Sequence, residues 1–260
     1  MQNMKFRWLF VLLFLLVACD MEKYPEAENS HFPEVLIYSG MTMIQPLQEL
    51  SALIEQSENC HIKITYGGSG HLLKSVEVNQ IGDLFFPGDK SYIDALQEKG
   101  IITESIPVGY NQAGFYVQPG NPQQISSDLN NLQNKQLRVV IGSSNAGSIG
   151  RESERILRQA GIYQEVINNS LYLTTDSKGL AEAIRSRDAD LVLNWKAVNF
   201  LPENLNKMVF IDLPAAYVKK QPLGMGLLIY SQHPEIARKI MQLAASATGQ
   251  DIFRKYGLQD

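Results

Sequence analysis

The chain has 260 residues, 45% hydrophobic and 19% charged, with a formal net charge of -4 at pH 7. That is material for one large domain or two modest ones, and without clustered Lys and Arg it excludes a nucleic-acid or anionic-lipid surface. Two cysteines, Cys19 and Cys60, and four scattered histidines give no metal-ligand spacing, so neither a metal nor a cofactor is expected.

Residues 1–18 carry Lys5 and Arg7, an apolar run from Leu9 to Val17, and then Ala18-Cys19-Asp20. The run is too short to span a bilayer, which takes about 20 apolar residues, and it ends at small residues as a cleaved leader does. It resembles a bacterial lipoprotein signal with its lipobox. That resemblance implies a mature chain starting at a lipidated Cys19, and Asp20 resembles the signal for retention on the inner membrane. Two acyl chains meet the requirement for stable anchoring, so the chain is expected on the periplasmic face of the cytoplasmic membrane. With Cys19 lipidated, Cys60 has no partner and reads as a buried hydrophobe. Residues 19–33, polar with two prolines, read as a tether.

From Glu34 onward strands and amphipathic helices alternate. Val35 to Tyr38 precedes a helix with Ile44, Leu47, Leu50 and Ile54 on one face. Ile62 to Tyr66 precedes a helix with Leu72, Leu73 and Val76, and Asp83 to Phe86 precedes a helix from Ser91 to Lys99. This order predicts a parallel sheet with covering helices. After a Gly/Pro/Asn-rich stretch around Phe115 to Val117, a second series follows. It comprises Leu137 to Ile141, a helix from Gly150 to Ala160, a strand near Leu171 to Leu173, a helix from Ser177 to Arg187, and Leu191 to Leu193. Met208 to Leu213, a strand from Gly226 to Tyr230, and helices carrying Ile236, Ile240 and Leu243 close the chain.

Four strands end in small or hydroxyl residues leading into a helix: Ser39-Gly40-Met41-Thr42, Gly67 to His71, Ser143 to Arg151, and Thr174 to Lys178. Free N–H groups and the helix dipole make such ends anion sites, and glycine admits a ligand close to the backbone. Ser, Thr and Gly are also ordinary helix caps. The pattern gains force because two turns fall in each predicted domain, at strand ends where α/β sheets bind ligands.

The segments YSGMT, ITYGGSGHLLKSVEVNQIGDLFF, VVIGSSNAGSIGRESERILRQAGI, GLAEAIRSRDADLVLNW and GQDIFRKYGL occur in this order. Together they resemble periplasmic substrate-binding proteins of the type II fold, closest to the molybdate-binding family of ABC transporters, over roughly residues 34–258. The resemblance implies an α/β fold of two domains, each a mixed, mostly parallel sheet flanked by helices, with a ligand cleft between them. Domain I would comprise 34–109 and 210–260, and domain II 110–209.

It also implies an oxyanion held by amides and hydroxyls without a cation. Ser69 matches a hydroxyl donor. Gly40 stands at a family serine position, leaving either Ser39 as its substitute or only the amides of Gly40 and Met41 beside Thr42. Ile149 and Ser177 match positions at helix starts, and Trp195, beside Asn194, aligns with a donor tyrosine; its indole N–H can donate but not accept. Arg151, just inside a helix, reads equally as a cation beside the anion, favouring phosphate-like, phosphonate or organic acid ligands, and as a surface residue. Asp83 and Asp190 read as structural, because acceptor-only carboxylates would repel an anion.

The function expected is a lipid-anchored, monomeric solute-binding protein that captures a molybdate- or tungstate-like oxyanion and presents it to an ABC permease. The alternative ligands are phosphate, sulfate, a phosphonate or a small carboxylate, and an alternative role is a sensor that signals to a receptor. Catalysis is not expected, since Gly67 to His71 lacks the order of a nucleophile elbow followed by its triad.

Overall fold

The computed structural model describes residues 32–259; the leader, Cys19 and the tether up to His31 lie outside the described residues. The first lobe opens with β1 (Glu34–Gly40), α1 (Ile44–Glu58), β2 (His61–Gly67), α2 (Ser69–Asn79), β3 (Leu84–Phe86), α3 (Ser91–Glu98) and β4 (Ile102–Asn111). The second lobe contains β5 (Ala113–Val117), β6 (Val139–Gly142), α4 (Ser148–Gln159), α5 (Tyr163–Asn169), β7 (Leu173–Thr174), α6 (Ser177–Arg185), β8 (Leu191–Trp195) and β9 (Val209–Ile211). The chain then returns to the first lobe as β10 (Gln221–Leu228), α7 (Pro234–Ala245) and α8 (Ala247–Lys255).

Each lobe is built on a five-stranded mixed sheet, ordered β2-β1-β3-β10-β4 in the first and β7-β6-β8-β5-β9 in the second. In the first, β1 pairs in parallel with β2 and β3, whereas β10 runs antiparallel to β3 and β4. The second repeats the scheme, with β6 parallel to β7 and β8, and β5 antiparallel to β8 and β9.

Strands covered on both faces need apolar residues at every position. In β1, Val35 and Ile37 enter the core beneath α1, α7 and α8, while Leu36 and Tyr38 face the other core with α2 and α3. Period-two alternation thus feeds two cores from one strand. On α1, the face formed by Ile44, Leu47, Leu50 and Ile54 is buried, and the helix stops at Asn59, whose φ of 54° is left-handed. Helix α6 ends before the expected Arg187 because Arg187 itself turns left-handed, at φ 64°.

The chain passes between the lobes twice. Strand β4 stays paired to β10 through Asn111, and β9 pairs with β5 through Ile211. The chain therefore crosses at Gln112 and again over residues 212–220, a little beyond each boundary expected from sequence. Asp83 ties β1 to the start of α7, accepting from Leu36 N (2.8 Å), Ser231 Oγ (2.6 Å) and His233 N (3.1 Å). Asp190 accepts from the backbone N–H and guanidinium of Arg138. Both carboxylates hold turns, away from the cleft.

Candidate ligand-binding cleft

The four glycine- and hydroxyl-rich turns meet between the lobes. They line one cavity through Gly40, Met41 and Thr42 after β1; Gly67, Gly68 and Ser69 after β2; Gly147, Ser148 and Ile149 at α4; and Asp176 and Ser177 at α6. Gly88, following β3, and Trp195, at the end of β8, complete the wall. The space between these atoms is about 220 Å³, counting what opens to solvent.

Three helices point their first turns inward by one sequence device. Ser69 follows Gly68 at the start of α2, Ser148 follows Gly147 at α4, and Ser177 follows Asp176 at α6. First-turn N–H groups have no intrahelical acceptor, and the second and third of these are met by other groups. In α2, Ala146 O from the opposite lobe accepts from Gly70 N (3.0 Å) and His71 N (3.3 Å). In α6, Asp176 Oδ1 accepts from Lys178 N (2.9 Å) and Gly179 N (3.0 Å). These contacts leave the Ser69 and Ser177 amides at the wall.

The hydroxyls divide into two groups. Ser69 Oγ accepts from Gly88 N at 3.0 Å, and Ser148 Oγ accepts from Trp195 Nε1 at 3.1 Å. Each oxygen thus has an acceptor site filled by a fixed N–H, which leaves the hydroxyl proton to be donated. Ser39 Oγ instead donates to Gly40 O (3.0 Å), and Ser39 does not line the cavity. Thr42 Oγ1 is engaged on both sides, accepting from Asn111 Nδ2 (3.1 Å) and donating to Met43 Sδ (3.1 Å). Asn194 supports the wall from behind, its Nδ2 donating to Ser177 O (2.9 Å).

Glycine at position 40 answers to space. A Cβ there would lie 2.5 Å from Met43 Cε and 3.0 Å from Gly88 N. The approach is closer still between lobes: a Cβ at Gly88 would meet Ser148 Oγ at 2.4 Å, and one at Gly68 would meet the carbonyls of Ala146 and Thr175 at 2.5 Å each. The cleft is closed.

Arg151 lies outside the cavity lining. Its guanidinium donates to Ser91 Oγ at 2.9 Å and stacks 3.9 Å above the ring of Tyr92, both on α3 of the opposite lobe. Burial pushes the Tyr92 hydroxyl up to about 12, with Arg151 pulling the other way. Lys178 is exposed. Among the described residues no Lys, Arg or His lines the cavity, and Asp176 is the single ionisable residue that does. Among the described residues no group of three or more His, Cys, Asp or Glu is placed to hold a metal.

Sequence reasoning singled out Gly40, Met41, Thr42, Ser69, Ile149, Ser177 and Trp195, and these seven meet at the cavity. Gly67, Gly68, Gly147, Ser148 and Asp176 also line it and fall inside the four turns read from the sequence without being singled out, whereas Gly88 lies outside them. Ser148 was within reach, because it repeats the position of Ser69 and Ser177 directly after a helix cap; Gly88 carries no local signal.

Two lobes joined by two crossings of the chain, with helix N-termini and hydroxyls turned into a closed cleft, define a bilobal small-solute-binding protein of the type II periplasmic fold. The match to the family of bacterial extracellular solute-binding proteins runs from residue 35 to 259, and the chain belongs to that family. Its members bind solutes and do not catalyse.

Among solved structures, the periplasmic molybdate-binding protein of Azotobacter vinelandii superposes with a TM-score of 0.75 at 13% identity, covering 86% of this chain and 97% of the other. The sulfate-binding protein of Mycobacterium tuberculosis gives 0.74 at 14% identity, covering 86% of each. L-phospholactate-bound PEB3, a Campylobacter jejuni protein, gives 0.69 at 18% identity, covering 87% and 99%. At these identities the likeness concerns the fold alone.

Proposed function

We propose that the protein captures a small oxyanion between its lobes and delivers it to an ABC permease, held at the periplasmic face of the cytoplasmic membrane by lipid on Cys19. The observation that carries this reading is the pair Ser69 and Ser148, one from each lobe, each with a proton left to donate after accepting from a fixed N–H. Helix N-terminal amides beside them add donors and positive potential. A cation is not required: charge-assisted hydrogen bonds contribute about 1.5–3 kcal/mol each. About six of them offset the cost of association and leave micromolar affinity, near 8 kcal/mol.

The cavity wall favours the wider set of anions over molybdate and tungstate alone. Gly40 supplies no hydroxyl, Ser39 spends its own on a carbonyl, and the Trp195 N–H is already donated to Ser148. Phosphate, sulfate, phosphonates and small carboxylates are therefore candidates on equal terms with the metal oxyanions, in keeping with the different ligands named for proteins of this fold.

Calorimetric titration of the detergent-solubilised full chain against these anions tests the reading. Saturable one-to-one binding of any of them is expected, and silence across the panel removes the anion site. The anchor is tested separately, since an inhibitor of signal peptidase II should retain the leader mass; an unchanged mass would dismiss lipidation at Cys19. Crosslinking in whole cells should capture a permease subunit, and capture of a receptor instead would replace transport by sensing.

A further inference from the structure

Four large apolar side chains stand exposed at one end of the first lobe: Phe32 (50%), Val78 (79%), Ile81 (54%) and Ile229 (59%). Hydrogen bonds of the backbone bring their segments together. Phe32 comes shortly before β1, Val78 sits in the last turn of α2, Ile81 leads into β3 and Ile229 directly follows β10. Asp83 N donates to Leu36 O (2.9 Å), Leu228 N to Asp83 O (2.9 Å) and Ile229 N to Ile101 O (2.8 Å), so these segments meet where β1 and β3 begin. Leu36, Ile101 and Tyr230, only partly buried, lie in the same segments and pack on the core under α2 and α3.

Glu34 and Glu77, close in sequence to Phe32 and Val78, are paired with Lys63 (3.7 Å) and Lys99. Those pairs add no net charge to draw a charged partner. Exposed apolar patches mark contacts with protein or with membrane, and the chain that precedes this one favours membrane. The tether read from the sequence begins at Cys19, and Phe32 belongs both to it and to the patch. Thirteen residues of chain, 19–31, reach at most about 45 Å. Anchored by lipid at Cys19, the patch stays within that distance of the bilayer. A short linker makes the second contact intramolecular, so apolar contacts too weak to bind a membrane alone suffice here.

We propose that this base of the first lobe is a bilayer-docking surface, where Phe32, Val78, Ile81 and Ile229 enter the headgroup region of uncharged lipid. The proposal rests on the reading of Cys19 as a lipid anchor. The cleft lies at the opposite, carboxyl ends of β1, β2 and β3, so a docked first lobe turns its half of the cleft away from the membrane, toward the solutes it captures. A permease in the same bilayer that takes ligand through the cleft must lift the base off the lipid.

The test uses the full chain purified from membranes and reconstituted in phosphatidylcholine vesicles whose acyl chains carry a nitroxide quencher just below the headgroups. Val78→Cys places a bimane fluorophore in the patch, and Leu171→Cys, exposed on the second lobe, places one outside it; Cys60 is buried and free. Emission is expected to be quenched at position 78 and spared at position 171. Adding Ile81→Asp and Ile229→Asp to Val78→Cys should restore the emission, since charged side chains resist entry into lipid.

Equal quenching at the two positions, quenching at neither, or quenching that survives both aspartates overturns the docking surface and leaves the anchor in place. Mass spectrometry of the same protein keeps the two readings apart: a Cys19 without lipid removes the anchor, and the docking surface with it.

Discussion

Ser69 and Ser148 differ from Ser39 and Thr42 in what their hydroxyl protons are left to do. Ser69→Ala removes one donor to an anion, and binding is expected to weaken by about 1–3 kcal/mol, as calorimetry would show; unchanged affinity would place Ser69 outside the site. The expected loss includes leaving Gly88 N without its acceptor, so the folding midpoint of the variant should be measured beside its affinity. Position along the chain identified the turns that hold Ser69 and Ser177, because a helix start after a strand lies at the sheet's carboxyl edge, and the family resemblance singled out the two serines within them. Which way a side chain turns there is set by neighbours distant in sequence. Ser39 donates to the carbonyl of Gly40, and Arg151 follows the aromatic ring of Tyr92. Asp176 lies within the turn from Thr174 to Lys178, and its capping of α6 and its place at the cavity emerge only in the folded chain.

Apolar periodicity made most elements readable, and the exceptions are those fixed by pairing. Strand β9 reads locally like the strands on either side of the crossing, and only its ladder with Phe115 to Val117 assigns it to the second lobe. Strand β7 shrinks to two residues while Leu171 and Tyr172 stay exposed, because β7 is an edge strand with one neighbour. Between elements, Arg138 and Asp190 join the starts of β6 and β8, and the Arg138 guanidinium holds the Asp190 carboxyl below its usual range. A carboxyl lowered in the folded state contributes stability that is present above its unfolded value, about 3.9, and is lost as pH falls through the lower folded value. Urea midpoints of wild type should therefore drop from about pH 4 downward. Arg138→Ala should be less stable at neutral pH and lose less on acidification; an acid slope equal to that of wild type would show that the pair is not linked to folding.

Closure brings the lobes within contact along the whole cleft, so affinity depends on the closing equilibrium as well as on the site. Gly88→Ala should leave each lobe folded but hold them apart, since the added Cβ meets Ser148 Oγ of the other lobe at 2.4 Å. Small-angle scattering should report a larger radius of gyration that ligand does not reduce, and a compact variant would show that the contact yields. Arg151 acts on the same equilibrium from outside the cavity, donating to Ser91 and stacking on Tyr92 across the cleft. A cation over an aromatic ring at an exposed site contributes about 0.5–1 kcal/mol. Arg151→Ala should therefore weaken binding by less than about tenfold, the reach of such a contact with its hydrogen bond. Because the latch favours closure without touching the ligand, the loss should be the same factor for every anion that binds. A residue in contact with the anion would instead give losses that vary with ligand charge and shape. Calorimetry of Arg151→Ala against at least two bound anions separates the two, and unequal losses would return Arg151 to the binding site.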